Sequence, residues 1–169
     1  SCAAAKFLSD NDIRFENTEV AVLCAGGEEA GLRGTKAFLK ANKDALKADG
    51  VETVFFTIDT IRELDFPQIY DKDMTGMVKN DIRVAKLIQT AAKNVGLDVP
   101  IGPISLGATD SAAASQAGFP ASSFVAMDPA PARYYHTRLD TADNLSAQAI
   151  DTTVKLAIET VFLYDEQGI

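Results

Sequence analysis

Apolar residues fall most regularly in the middle of the chain. Val84, Leu87, Ile88, Ala91, Ala92 and Val95 recur at i, i+3, i+4, i+7, i+8 and i+11, which gathers them on one face of an α-helix. Asn80 or Asp81 can cap the start of that helix, and Gly96 stands just past its end. A second helix is predicted from about residue 32 to residue 48, with Ala37, Phe38, Ala41 and Ala45 on one face and Gly50 as the stop. A last one has Ser146 at its N-cap and a stripe of Ile150, Val154, Ala157, Ile158 and Val161. The opening Ser1-Cys2-Ala3-Ala4-Ala5-Lys6-Phe7-Leu8 reads as an amphipathic helix entered mid-stream.

Short apolar runs separate these segments. Glu19 to Ala25 is nearly continuously apolar and ends at Gly26-Gly27, as expected of a strand buried on both faces of a sheet. Cys24 lies inside it and is expected to pack as a small buried hydrophobe. Glu52 to Ile58, Ile101 to Leu106 and Ser123 to Met127 are further strand candidates, and Gln68-Ile69-Tyr70 is expected as a short edge strand. A short helix ending at Gly118 separates the third of these runs from the fourth. Alternating strands and helices predict an α/β fold: a three-layer α/β/α sandwich with a mainly parallel, mixed sheet. The 169 residues fit one domain, 1–169.

Composition narrows the function classes. Sixteen basic against twenty-four acidic residues leave a formal charge of −8, which offers no electrostatic footprint for nucleic acid. No apolar run approaches the roughly 20 residues of a transmembrane helix. Two cysteines cannot make a disulfide-rich scaffold. The start carries neither an initiator Met nor a signal-peptide pattern, so compartment is unreadable from it.

In parallel sheets, ligands collect beyond the carboxyl ends of strands. The first predicted strand runs into Gly26-Gly27-Glu28-Glu29-Ala30-Gly31-Leu32-Arg33-Gly34. Two adjacent carboxylates between glycines can face different ways, one toward a metal and one toward a water, as metal-assisted hydrolysis requires. Equally, two acids near a helix start complement its dipole. Asp59 follows the second predicted strand, where a turn or cap residue is the ordinary expectation. The single histidine, His136, sits in the polar stretch 133–141 behind Pro129 and Pro131. A lone histidine is more often a hydrogen-bonded surface group than a ligand. A hydroxyl of the two tyrosines beside it, Tyr134 and Tyr135, can stabilise an oxyanion, and Asp140 can hold the free imidazole nitrogen. Gly107-Ala108-Thr109-Asp110-Ser111 is not a nucleophile elbow, and Gly26-Gly27 lacks the lysine of a P-loop.

Three segments together resemble the co-catalytic, two-zinc aminopeptidase family, which includes secreted bacterial leucine-type aminopeptidases and glutaminyl cyclases. They are Ala25 to Thr35, Thr57-Ile58-Asp59-Thr60-Ile61, and Tyr135-His136-Thr137-Arg138-Leu139-Asp140-Thr141. Their order matches the family, and the similarity extends over nearly the whole chain. The resemblance implies Glu28 as general base, Glu29 and His136 as ligands of one zinc, Asp59 as a ligand of the other, and Tyr135 as an oxyanion donor. It implies zinc-dependent removal of N-terminal residues from peptide substrates, and a secreted or cell-surface setting.

The family's site also uses a histidine and a bridging aspartate upstream of the Gly-Gly-Glu-Glu stretch. The 25 residues before Gly26 contain no histidine, Asp10 and Asp12 sit in an expected turn, and the family's Ser-Asp-His appears as Thr109-Asp110-Ser111. The resemblance therefore places the bridging aspartate just before Ser1 and makes the chain a C-terminal portion of a metallopeptidase domain. By itself such a portion is expected to bind zinc weakly or not at all and to hydrolyse little or nothing. A protease-like binding or dimerisation module and a glutaminyl-cyclase-like enzyme are the alternative readings. An exposed sheet edge would allow a homo-oligomer.

Overall fold

The computed structural model describes residues 1–128 and 133–169; Pro129 and Pro131 lie outside them. Among the described residues, five helices and five strands run in the order α1 (Cys2–Asp10), α2 (Arg33–Leu46), β1 (Phe55–Ile61), β2 (Pro67–Asp73), β3 (Val78–Lys79), α3 (Ile82–Asn94), β4 (Ile101–Pro103), α4 (Asp110–Gln116), β5 (Ala121–Ala126) and α5 (Ala147–Gln167). A turn of 3₁₀-helix at Ala142–Asn144 leads into α5.

The sheet is mixed. β1 runs parallel to β5, from Phe55 opposite Ala121 to Asp59 opposite Val125. β5 lies antiparallel to β2, and β2 pairs in parallel with β4 and antiparallel with β3. Helices cover both faces, so the expected α/β/α sandwich is the fold. Side chains alternate across β1: Phe56 packs with Ile69, Val84, Ile88, Phe124 and Leu156 beneath α3 and α5, while Phe55 packs with Leu39, Ala113, Phe119 and Ala121 beneath α2 and α4. The stripe predicted for α3 lies largely in the first of these cores.

Several expectations change. In α2, Thr35 and Leu39 are buried while Ala37, Ala41 and Ala45 are exposed, and in α5 the buried face is Ala149, Thr153, Leu156, Ala157 and Thr160 while Ile150 is exposed. The run 19–25 is not a strand. It pairs with none of the described strands, and Val20, Val22 and Leu23 are 37–40% exposed. An apolar run gains burial in a sheet only when neighbouring strands take up its amides and cover its faces. Cys24 is accordingly exposed, not buried. The Gln68–Tyr70 segment belongs to a seven-residue strand, and that strand is internal: β2 is the one that joins β5, β4 and β3. Its polar Gln68, Asp71, Lys72 and Asp73 disguise it. The second predicted strand is displaced by three residues, so Asp59 lies within β1 and not beyond it.

The α4 end of the sheet is fastened by a buried polar network that apolar patterning cannot reveal. The Asp73 carboxyl group, fully buried, accepts from the amides of Met74 (2.6 Å) and Thr109 (2.9 Å) and from the Thr109 and Ser111 hydroxyls. Ser123 donates to Ser111 at 2.7 Å, and Asn80 joins Ser111 to the Tyr70 carbonyl. Asp73→Ala strands several of these donors and is expected to cost on the order of 3 kcal/mol in urea denaturation. At the start of α3, Asp81 accepts from the Arg83 amide (2.8 Å) and its guanidinium (2.6 Å). Asp81→Ala is expected to cost about 1 kcal/mol. Arg83 holds the Asp81 carboxyl below its ordinary range, so this contribution is present at neutral pH and fades as acid protonates the group below that range.

Candidate functional site

Two loops converge at one end of the sheet. The first, residues 26–32, is wound tightly: the Gly31 and Leu32 amides both donate to the Glu28 carbonyl, at 3.0 and 2.8 Å, and the Arg33 amide donates to Gly27 O at 3.1 Å. Gly34 makes this possible. A Cβ there would meet Gly26 O at 2.4 Å, so only glycine lets the first turn of α2 rest on the Gly26 backbone. Lys36 Nζ donates to Gly31 O at 2.9 Å and closes the loop onto the helix.

The second loop carries His136 in the left-handed region (φ 57°). Its turn is held by Thr137, whose amide and hydroxyl both donate to Tyr134 O, at 2.9 and 2.7 Å. Tyr135 stacks on the imidazole, with ring centroids 3.9 Å apart. The loop is pinned to the strand ends by charge. Arg62, just past β1, lies over the Tyr134 ring, its guanidinium carbon 3.9 Å from the centroid, and Arg133 Nε donates to Asp128 at 2.8 Å. Glu63 completes this cluster through bonds to Arg62 and Arg133. The strand-end rule that singled out Asp59 applies equally to Arg62 and Asp128, although neither was picked out from the sequence.

The loops bring His136 Nε2 to 2.9 Å from Glu29 Oε1, across 107 residues of sequence. Both side chains remain open to solvent, 56% and 69% exposed. Glu28, Asp59, Tyr135, Met127 and Asp140 share with them a cleft of about 500 Å³. Among the described residues, the imidazole bonds Glu29 and not Asp140. Asp140 instead donates its amide to Thr137 O.

The cleft is crowded with negative charge. Burial, then Asp59, Glu29 and Asp110, push the Glu28 carboxyl up to about 7, against a smaller opposite pull from His136. Burial, more than its acidic neighbours, raises Asp59, although the Thr60 hydroxyl and amide bonds oppose the shift. Tyr135 is raised by burial and then by Glu29, Asp59 and Glu28. A carboxyl group poised near neutrality suits proton transfer, because it can both take and return a proton.

The donor types suit zinc, but the donor set is short. Among the described residues no three His, Cys, Asp or Glu side chains converge as a metal-binding group. Glu29 and His136 form one facing pair and Asp59 stands separately in the same cleft, so the described residues do not gather the ligands of a closed zinc site.

Comparison with known proteins identifies the scaffold. The model of peptidase family M28 matches residues 2–161. The chain belongs to peptidase family M28. No curated protein matches it. Among solved structures it is similar to an aminopeptidase from Aneurinibacillus sp. strain AM-1, with 26% identity over 82% of this chain and 31% of that one, at a TM-score of 0.64. A zinc aminopeptidase from Bacillus subtilis matches at 20% identity over 82% of this chain and 34% of that one (TM-score 0.61). An Acidobacteriales bacterium glutaminyl cyclase matches at 23% identity over 80% and 46% (TM-score 0.63). The M28 chain thus spans less than half the length of each of these structures.

The raised Glu28 carboxyl has a consequence for stability. Its folded value lies above its ordinary one, so its contribution is complete in acid and is lost as pH rises from about 4.5 to about 7. In a chelating buffer, Glu28→Gln is expected to flatten the dependence of the urea midpoint on pH across that window. A variant with the same dependence as the native chain would show that Glu28 is not the group responsible.

Proposed function

We propose that the chain is part of an aminopeptidase-type hydrolase that removes N-terminal residues from peptides, with the cleft between residues 26–32 and 134–140 as its reaction site. One observation carries this reading: the distal acid of the Glu28-Glu29 pair and the chain's single histidine meet at 2.9 Å at the strand ends. Family membership and the aminopeptidase neighbours support the reaction class.

In this proposal Glu28 is the general base. Its carboxyl, poised near 7, takes the proton of the attacking water and returns it to the departing amine. Tyr135, partly buried beside the imidazole, offers its hydroxyl to the developing oxyanion. Glu29, Asp59 and His136 are proposed as zinc ligands. Three donors fall short of two zinc sites, since a catalytic zinc generally takes three protein ligands and a water. The 169-residue chain is therefore expected to hold zinc weakly and to show little or no hydrolysis.

Zinc titration by calorimetry, alongside leucyl-anilide hydrolysis, tests this. The native chain is expected to bind weakly and turn over near background. Glu29→Ala and His136→Ala should each lower zinc affinity at least tenfold, a loss seen even for residues that only support a ligand. Affinity unchanged by both substitutions would remove Glu29 and His136 from the site. Two tightly held metals with normal turnover would instead show that this chain completes the centre alone.

A further inference from the structure

The two cysteines of the chain play no part in the cleft, yet they are paired. Cys2 opens α1 and Cys24 lies two residues before Gly26, and their sulfurs are 3.5 Å apart across 22 positions of sequence. Both are exposed, and the chain has no other cysteine to compete for either. We propose that Cys2 and Cys24 form a reversible disulfide that staples the segment leading into the Glu28-Glu29 loop onto α1.

The surroundings give the bond a purpose. The 18–25 segment pairs with none of the described strands, and its apolar side chains stand partly in solvent. α1 is anchored: Ala4 and Leu8 are buried, the helix packs on α5, and Phe15 beyond it meets Phe162 edge-on at 5.2 Å. A covalent tie between the two would confine an otherwise weakly held stretch that ends at Gly26 and Gly27, immediately ahead of Glu28. The sulfurs need to approach by roughly 1.5 Å to reach bonding distance, a shift open to an exposed segment outside the sheet.

The oxidant is a small disulfide such as oxidised glutathione. One cysteine thiolate attacks it, forming a protein–glutathione mixed disulfide and releasing one glutathione thiolate. The other cysteine thiolate then attacks the protein sulfur of that mixed bond and releases the second. Each released thiolate takes up one of the two protons given by the protein thiols, and the electron pair passes from the protein sulfurs to the glutathione disulfide. Cys2 beside it holds the Cys24 thiol above its ordinary range, chiefly through the hydrogen bond between the two sulfurs, so the reaction should quicken as pH rises.

This inference does not rest on the hydrolase reading, and its test does not read activity. The 169-residue chain is equilibrated in glutathione buffers of rising oxidised fraction, then examined by intact mass, by tryptic mapping without reductant, and by thermal unfolding. Both thiols are expected to disappear together in a monomer lighter by two hydrogens, with the peptide 1–6 joined to the peptide 15–33. The thermal midpoint should rise by about 5–10 °C and return on reduction, as expected for closing a loop of this length. Cys24→Ser should stop at a glutathione adduct on Cys2 with no rise, its circular dichroism matching the reduced native chain. Independent adducts on both cysteines, cross-linked dimers, or thiols that stay free in oxidised buffer would overturn the pairing. An intramolecular bond that leaves the midpoint unchanged would overturn the staple.

Discussion

Glu29 and Asp110 act through space on both Glu28 and Asp59 at one cleft, and the chain offers a single imidazole to meet the acids there. Like charges in a partly desolvated site raise each other's hold on protons, so keeping them together works against folding unless the scaffold holds them or a cation relieves them. Burial first, and this opposition second, explain why Glu28 is poised near neutrality. The opposition also gives the Glu29–His136 contact its meaning: through it a side chain of the second loop meets an acid of the first.

Holding charge in place takes rigid backbone, and the two loops obtain it differently. The acidic loop is clamped by its own amides and by the contact of Gly34 with Gly26, a purely steric device. The histidine loop is fixed by a hydroxyl turn at Thr137 and by the Arg62, Tyr134, Asp128 and Arg133 cluster at the strand ends. Behind both, Asp73 ties the end of β2 to the first residues of α4, next to Asp110. Among the described residues Asp110 Oδ1, which is buried, has no hydrogen-bond partner, and Asp110 adds its field to Glu28 and Asp59. A residue outside the walls of the cleft thus adds to the proton affinity inside it, after burial and the acids of the cleft itself.

What the sequence disclosed follows from which forces leave a periodic trace. α3 was legible because it buries one apolar stripe against the sheet, and a 3.6-residue period records that directly, whereas in α5 only the helix and its Ser146 cap were legible, its buried face being Ala149, Thr153, Leu156, Ala157 and Thr160. β2 was read as a short edge strand because its centre is carried by Ile69 and Tyr70 alone, flanked by polar residues whose burial depends on hydrogen bonds. The 19–25 run misled for the opposite reason: apolar composition records a capacity for burial, whereas a strand also needs partners. In the cleft, the acids and the histidine were legible from motif resemblance. Asp73, Arg62 and Asp128 were not, since their roles arise from neighbours distant in sequence.

The exposed apolar run and the short donor set are not independent features. Residues 18–25 continue without a break into Gly26-Gly27-Glu28-Glu29, so whatever orders the run also restricts the backbone that carries the proposed general base and a proposed ligand. Binding a cation at Glu29 and His136 requires both loops to hold still and the carboxyl groups to give up protons. Cation affinity, the order of this segment and the proton affinity of Glu28 are therefore linked quantities, each of which must move when another does. Ladder partners along 18–25, a covalent tie at Cys24, or a ligand bound across the cleft would all act on the same short stretch of main chain. The chemistry of the cleft thus depends on the one part of the chain whose composition calls for more contacts than the described strands supply.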